Sequence, residues 1–157
     1  MHTRTAVLVV GAIWLLGACG GGGGGSPKTT YNLAGSYDFV LTAGDLTGNG
    51  AADCTPDVND SGTATVTWTT GSNQCTLDIE GQSITATVTA SVNGNTVKKS
   101  KSGPDADCDV SYGETWSLTW TSDNAASGYA RWSCQWTDSG TVYGCSQQDD
   151  LTVTRQP

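Results

Sequence analysis

From residue 31 onward, apolar and polar residues alternate along most of the chain. Tyr37, Phe39 and Leu41 alternate with Ser36, Asp38, Val40 and Thr42; Ala64, Val66 and Trp68 alternate with threonines; Cys75, Leu77 and Ile79, then Ile84, Ala86 and Val88, continue the pattern. Later come Trp116, Leu118 and Trp120, then Ala130, Trp132, Cys134 and Trp136, and finally Leu151 and Val153. A period of two is the signature of strands with one face buried and one in water. It predicts strands over 36–43, 63–70, 74–80, 83–91, 95–100, 114–121, 129–137, 141–145 and 149–154. Glu80-Gly81, Asn93-Gly94 and Asp138-Ser139-Gly140 supply turn chemistry between them. Short links favour an all-β, single antiparallel meander of eight or nine strands. It would form a small barrel, closed by Tyr37-Asp38-Phe39 beside Leu151-Thr152-Val153, or alternatively a two-sheet β-sandwich.

The start of the chain follows a different rule. Met1-His2-Thr3-Arg4 is basic, Ala6 to Leu16 is apolar but short for a membrane span, and Leu16-Gly17-Ala18-Cys19 precedes six glycines. This ending resembles the lipobox of bacterial lipoproteins. The resemblance implies a signal peptide over 1–18, cleavage before an acylated (palmitate-bearing) Cys19, and anchoring of the cell-envelope protein through its acyl chains. Gly20 in place of Asp after the cysteine implies the outer membrane. Residues 19–30 then form the lipidated cysteine and a Gly-rich tether reaching about 18 Å. Residues 31–157 form one all-β domain of uniform composition.

Composition narrows the chemistry. Without residues 1–18, six Lys or Arg face fifteen acidic residues, a surface that repels nucleic acid. The single histidine, His2, leaves with the signal, which removes imidazole-based nucleophilic catalysis and His-ligated metal sites. Carboxylate-only hydrolysis through Asp78, Glu80 or Glu114 stays open, but Asp78 and Glu80 alternate with Leu77 and Ile79 and so face solvent.

Five cysteines follow Cys19, and an oxidising envelope should pair them. A two-residue turn at Ser139-Gly140 sets Cys134 opposite Cys145, with Trp136 opposite Tyr143. The expected bridges are therefore Cys134–Cys145 and Cys54–Cys108, with Cys75 left as a buried thiol. The segment Asp45-Leu46-Thr47-Gly48-Asn49-Gly50-Ala51-Ala52-Asp53 spaces oxygen-bearing side chains as calcium loops do. Asp45, Thr47, Asn49 and Asp53 are its candidate Ca2+ ligands, although Pro56 stands where an EF-hand has a bidentate Glu. Segment 43–62 is in any case a long loop that needs a function or an ordering agent. Trp68, Trp116, Trp120, Trp132 and Trp136 are core if they face inward, and a stacking surface for sugars or an apolar ligand if they line a cavity. Lys98-Lys99-Ser100-Lys101 reads as a solvated turn beside Asp105, Asp107 and Asp109.

Gly35-Ser36-Tyr37 at the first strand and Arg155 after the last resemble the lipocalin arrangement, in which Gly-x-Trp in the first strand lies under an arginine from the end of the barrel. The resemblance implies that Arg155 packs over Tyr37 to close the barrel. The expected function is a non-enzymatic binding or interaction module with no required cofactor. Its partners would be the membrane, through its acyl groups, and envelope proteins, glycans or a small apolar ligand. The alternatives are a lipocalin-like carrier of a small apolar ligand and a carboxylate-only envelope hydrolase.

Overall fold

The computed structural model describes residues 29–103 and 107–157; Cys19, the signal and most of the tether lie outside the described residues. Its strands are β1 (Gly35–Thr42), β2 (Asp60–Trp68), β3 (Gln74–Gly81), β4 (Thr85–Asn93), β5 (Thr96–Gly103), β6 (Ser111–Ser122), β7 (Ala125–Asp138) and β8 (Thr141–Arg155). Each pairs antiparallel with the next, and β1 pairs with β8, closing an up-and-down barrel. The barrel expectation holds, and the sandwich is excluded. Closure gives every strand two neighbours.

Two strand-level expectations are corrected. The predicted strands 141–145 and 149–154 are one strand, β8, because the polar run Ser146-Gln147-Gln148 keeps its place in the ladder opposite Ser133, Trp132 and Arg131. Gln147 points inward there at 2% exposure, so a buried polar residue rather than a break interrupts the apolar alternation. The β1–β8 register also differs by two residues. Phe39, not Tyr37, lies opposite Val153, which carries Arg155 to the level of Tyr37 without changing which faces are buried.

The core fills one half of the barrel with Phe39, Leu41, Val66, Leu77, Ile79, Val88, Val97, Leu118, Leu151 and Val153, all inward members of the predicted alternation. The end formed by the 69–73, 94–95 and 123–124 turns is plugged. Leu33 and Tyr37 are fully buried there and Trp120 is 2% exposed. Tyr37 and Trp120 meet edge-to-face at 5.8 Å between centroids, and Trp120 Nε1 donates to Tyr37 Oη at 3.2 Å. Arg155 lies over the Tyr37 ring at 4.9 Å and donates to Tyr37 Oη, to the carbonyls of Asn32 and Ala34, and to that of Asp123. The expected Arg155–Tyr37 closure is thus present, and it also pins the segment leading into β1. Gly35 is required beneath it: its φ is +150°, and a Cβ there would collide with the guanidinium.

Candidate functional site

The opposite end carries the long connections and the polar residues. Here β6, β7 and β8 run beyond the apolar core, and their inward column continues as Trp116, Glu114 and Tyr112 on β6, Ala130, Trp132, Cys134 and Trp136 on β7, and Asp149, Gln147, Cys145 and Tyr143 on β8. A second cluster forms there around Cys108, Cys134, Trp136 and Cys145, with Leu46, Cys54, Tyr112, Trp132 and Tyr143 against it. Trp136 stacks on Tyr143 at 6.1 Å, as their facing positions predict.

The bridges at this end are Cys54–Cys145 and Cys108–Cys134, with Cys75 free and buried. The expected set of four bonded cysteines is correct, whereas the pairing Cys134–Cys145 with Cys54–Cys108 is corrected. Cys134 and Cys145 do lie directly opposite each other. Ser146, however, exchanges backbone hydrogen bonds with Thr47, and Gln135 O accepts from Val110 N, so those residues turn their peptide groups away from the β7–β8 seam. Cys134 and Cys145 therefore form a hydrogen-bonded pair, the wider kind, whose side chains stand about 5.5 Å apart at Cα and do not converge. Each thiol bonds outward instead and staples a different loop to the barrel.

The β1–β2 connection, 43–59, is ordered by β8 as well. Thr47 Oγ1 hydrogen-bonds Ser146, Asn49 Nδ2 donates to Val142 O, and Asn49 Oδ1 accepts from Gly144 N. Gly50 lies against the Trp136 ring where a Cβ would not fit, and the 3-10 turn Ala51–Asp53 leads into Cys54. Two of the four candidate calcium ligands thus spend their side chains on β8, while Asp45 and Asp53 are exposed. Among the described residues no group of three or more His, Cys, Asp or Glu is placed to hold a metal. A disulfide and hydrogen bonds to β8 order this loop.

The same loop brings together an acid pair that lies 92 positions apart in sequence. Asp149 is fully buried; its Oδ1 accepts from Gly44 N and from Gln147 Nε2, both at 2.9 Å, while Oδ2 has no partner. Gln147 accepts from Asp57 N at 2.9 Å and donates to Asp57 O at 3.2 Å. Asp57 is thereby held beside Asp149, and its carboxyl is pushed up to about 6, first by burial and then by the Asp149 charge and the contact between the two carboxyls. Glu114 adds to the rise, and the nearby indole of Trp132 opposes it.

The folded state therefore holds the Asp57 proton between about pH 4 and 6 where the unfolded chain has released it, so this group's contribution to stability falls as pH rises through that window. With the half-buried side chain discounted for solvent screening, the loss is about 1–2 kcal/mol. In Asp57→Asn the fall should be missing when urea midpoints at pH 4.5 and pH 7 are compared. A fall unchanged in that variant would assign the proton elsewhere.

Between this polar end and the plug lies a small apolar cavity of about 20 Å3, lined by Phe39, Leu77, Ile79, Ile84, Trp116 and Leu151 among others. The five tryptophans divide accordingly. Trp120 and Trp136 are buried core; Trp68 packs partly buried at the plugged end, donating to Ser72 O; Trp116 lines the cavity; Trp132 sits beside the acid pair. Asp78 and Glu80 are exposed on β3, as their alternation with Leu77 and Ile79 predicts. A buried acid that sequence reasoning did not single out, Asp60, accepts backbone N–H groups from Ser61, Gln82, Ser83 and Ile84 and so fixes the β3–β4 turn.

One side of the wall is incompletely paired. β4 and β5 meet only at Ser91–Lys98, Val92–Val97 and Asn93–Thr96, next to the Gly94 turn. Beyond that, β4 continues against β3 up to Thr85, and β5 continues against β6 to Gly103, without a ladder between them. The expected basic turn at Lys98–Lys101 is corrected: these residues lie within β5, on this seam. No family model, curated protein or solved structure matches this chain.

Proposed function

We propose that the chain is a non-enzymatic binding module of the bacterial cell envelope. In this reading acyl groups on Cys19 hold it at the outer membrane, and it meets its partners with the loops and edges of the barrel. The observation that carries this reading is how full the interior is among the described residues. A cavity of about 20 Å3 accommodates roughly one water molecule, whereas small-molecule pockets run to several hundred Å3. Leu33, Tyr37 and Trp120 occupy one end, and Gln147, Asp149 and the stapled loops cover the other. A carrier needs that space empty. A carboxylate hydrolase needs two acids open to substrate, and of the acids that converge here Asp149 is fully buried.

Native mass spectrometry of the exported chain, released from mild detergent, tests the proposal. The expected mass is that of the acylated polypeptide less the four hydrogens of two disulfides. A co-purifying organic adduct would replace the module with the lipocalin-like carrier, and a mass without acyl groups would remove the anchor.

A further inference from the structure

The β4–β5 seam presents two strand edges that are each held firmly on their far side and do not meet. In the paired portion, Val92 N donates to Asn73 O, toward β3, so the odd residues of β4 turn their peptide groups toward β5. Continuing that alternation, Thr87 and Thr89 direct N–H and C=O groups into the seam. On β5 the residues opposite, Ser100 and Ser102, do the same, since Asn95 O accepts from Trp120 N and the odd positions therefore turn toward β6. Thr87, Thr89, Ser100 and Ser102 are all exposed. Behind them Ala86, Val88 and Ala90 remain buried, so the edge is open without the core being open.

The charges along this edge select what fits it. Lys98, Lys99 and Lys101 are three of the chain's seven Lys and Arg, gathered on one strand of a molecule of net charge −8. Lys98 shares the outer face with Ser100 and Ser102, while Lys99 and Lys101 project to the inner face beside Trp116 and Tyr112, with Lys101 Nζ 5.3 Å from the Tyr112 ring centroid. An extended segment lying along the seam would therefore meet lysine from both faces on the β5 side, with Asp78, which accepts from Thr87 Oγ1, on the β3 side of β4 and Glu114 opposite Lys101 on β6. A second copy of this edge would bring lysine against lysine, the usual device by which edges avoid self-pairing.

We propose that the β4–β5 seam binds an extended acidic segment of a partner protein by strand addition, its backbone bonding the edge peptide groups and its carboxylates meeting Lys98, Lys99 and Lys101. The site rests on the module reading above and gives it a partner chemistry. Main-chain pairing supplies affinity in such complexes and alternate side chains supply selectivity.

The test uses the exported chain in mild detergent and a fluorescein-labelled peptide alternating Glu and Val over about eight residues. Two controls are its Lys-Val counterpart and a version of the acidic peptide with proline at alternate positions. In the free protein the amides of Thr87, Thr89, Ser100 and Ser102 should exchange rapidly, and protection there would remove the site. The acidic peptide should bind, slow exchange at Ser100 and Thr89, and lose at least tenfold in affinity for Ser100→Pro, which removes one edge donor and, on the β5–β6 side, only the Ser100 Oγ–Thr115 Oγ1 contact. The double variant Lys98→Glu/Lys101→Glu gives an independent reading if the proline variant does not fold, with the same loss expected. Binding by the proline-bearing peptide equal to that of the acidic one, or no binding at millimolar concentration, overturns strand addition. A bare barrel that ignores the peptide defeats this site and leaves the module standing, whereas an organic adduct in the native mass defeats the module whatever the peptide does.

Discussion

Replacing Cys54 and Cys145 together by serine should be the most damaging pairwise change at the loop-covered end, with a ceiling of about 4.6 kcal/mol. The bridge spans 91 residues, nearly the full circuit from the β1–β2 loop to β8, and chain-entropy loss on cross-linking grows with the logarithm of that span. Cys108–Cys134 spans 26 residues, which gives a ceiling of about 3.5 kcal/mol by the same relation. The two double-serine variants should therefore differ by roughly 1 kcal/mol in urea-derived stability, with the 54/145 variant the weaker. A ranking in the opposite order would mean that native packing, not the restricted unfolded chain, sets the contribution. The 54/145 variant has a second consequence. Hydrogen bonds from Gly44, Thr47, Asn49, Gly50 and Asp57 to β8 would then hold the loop without a covalent link, so Asp57 would be less firmly seated beside Asp149.

Much of the fold is legible because alternation and turn chemistry are local. Tyr37, Phe39 and Leu41, or Trp116, Leu118 and Trp120, announce their faces without reference to the rest of the chain, and Asn93-Gly94 and Ser139-Gly140 fix where the ribbon reverses. Closure by β1 and β8 is legible for a related reason: a meander with one apolar face must bring its ends together, and Gly35, Tyr37 and Arg155 mark where.

The polar end is less legible because its partners are set by distance across the fold. Nothing local says that Asp57 and Asp149 will be neighbours, or that Gln147 is buried to hold them. The cysteine pairing fails for a subtler reason. The register that places Cys134 opposite Cys145 is right, but whether such a pair is of the hydrogen-bonded or the non-bonded kind depends on what the strands bond to outside the seam, here Thr47 and Val110. Likewise Lys98 to Lys101 carry the composition of a turn, and only the extent of the β5–β6 ladder shows them to be strand.

Trp120→Ala should cost about 3–5 kcal/mol, the range for deleting a large aromatic side chain from a packed interior. Three contributions converge on this residue: an indole at 2% exposure, an edge-to-face contact with Tyr37, and a hydrogen bond from Nε1 to Tyr37 Oη. The packing should dominate. Tyr37 Oη also accepts from Arg155 Nη2 and donates to Leu33 O, so losing the indole donor does not strand a buried hydroxyl. Trp120→Phe, which keeps the ring contact and gives up the donor, should therefore retain most of the stability in chemical denaturation. Equal damage from Phe and Ala would place the energy in the hydrogen bond and in the Arg155 network behind it. The alanine variant also bears on function, because an apolar void of this kind stays dry and accepts small apolar molecules. Uptake of benzene by Trp120→Ala but not by the parent chain would mean that the barrel is closed to ligands by its own tryptophan rather than by its topology.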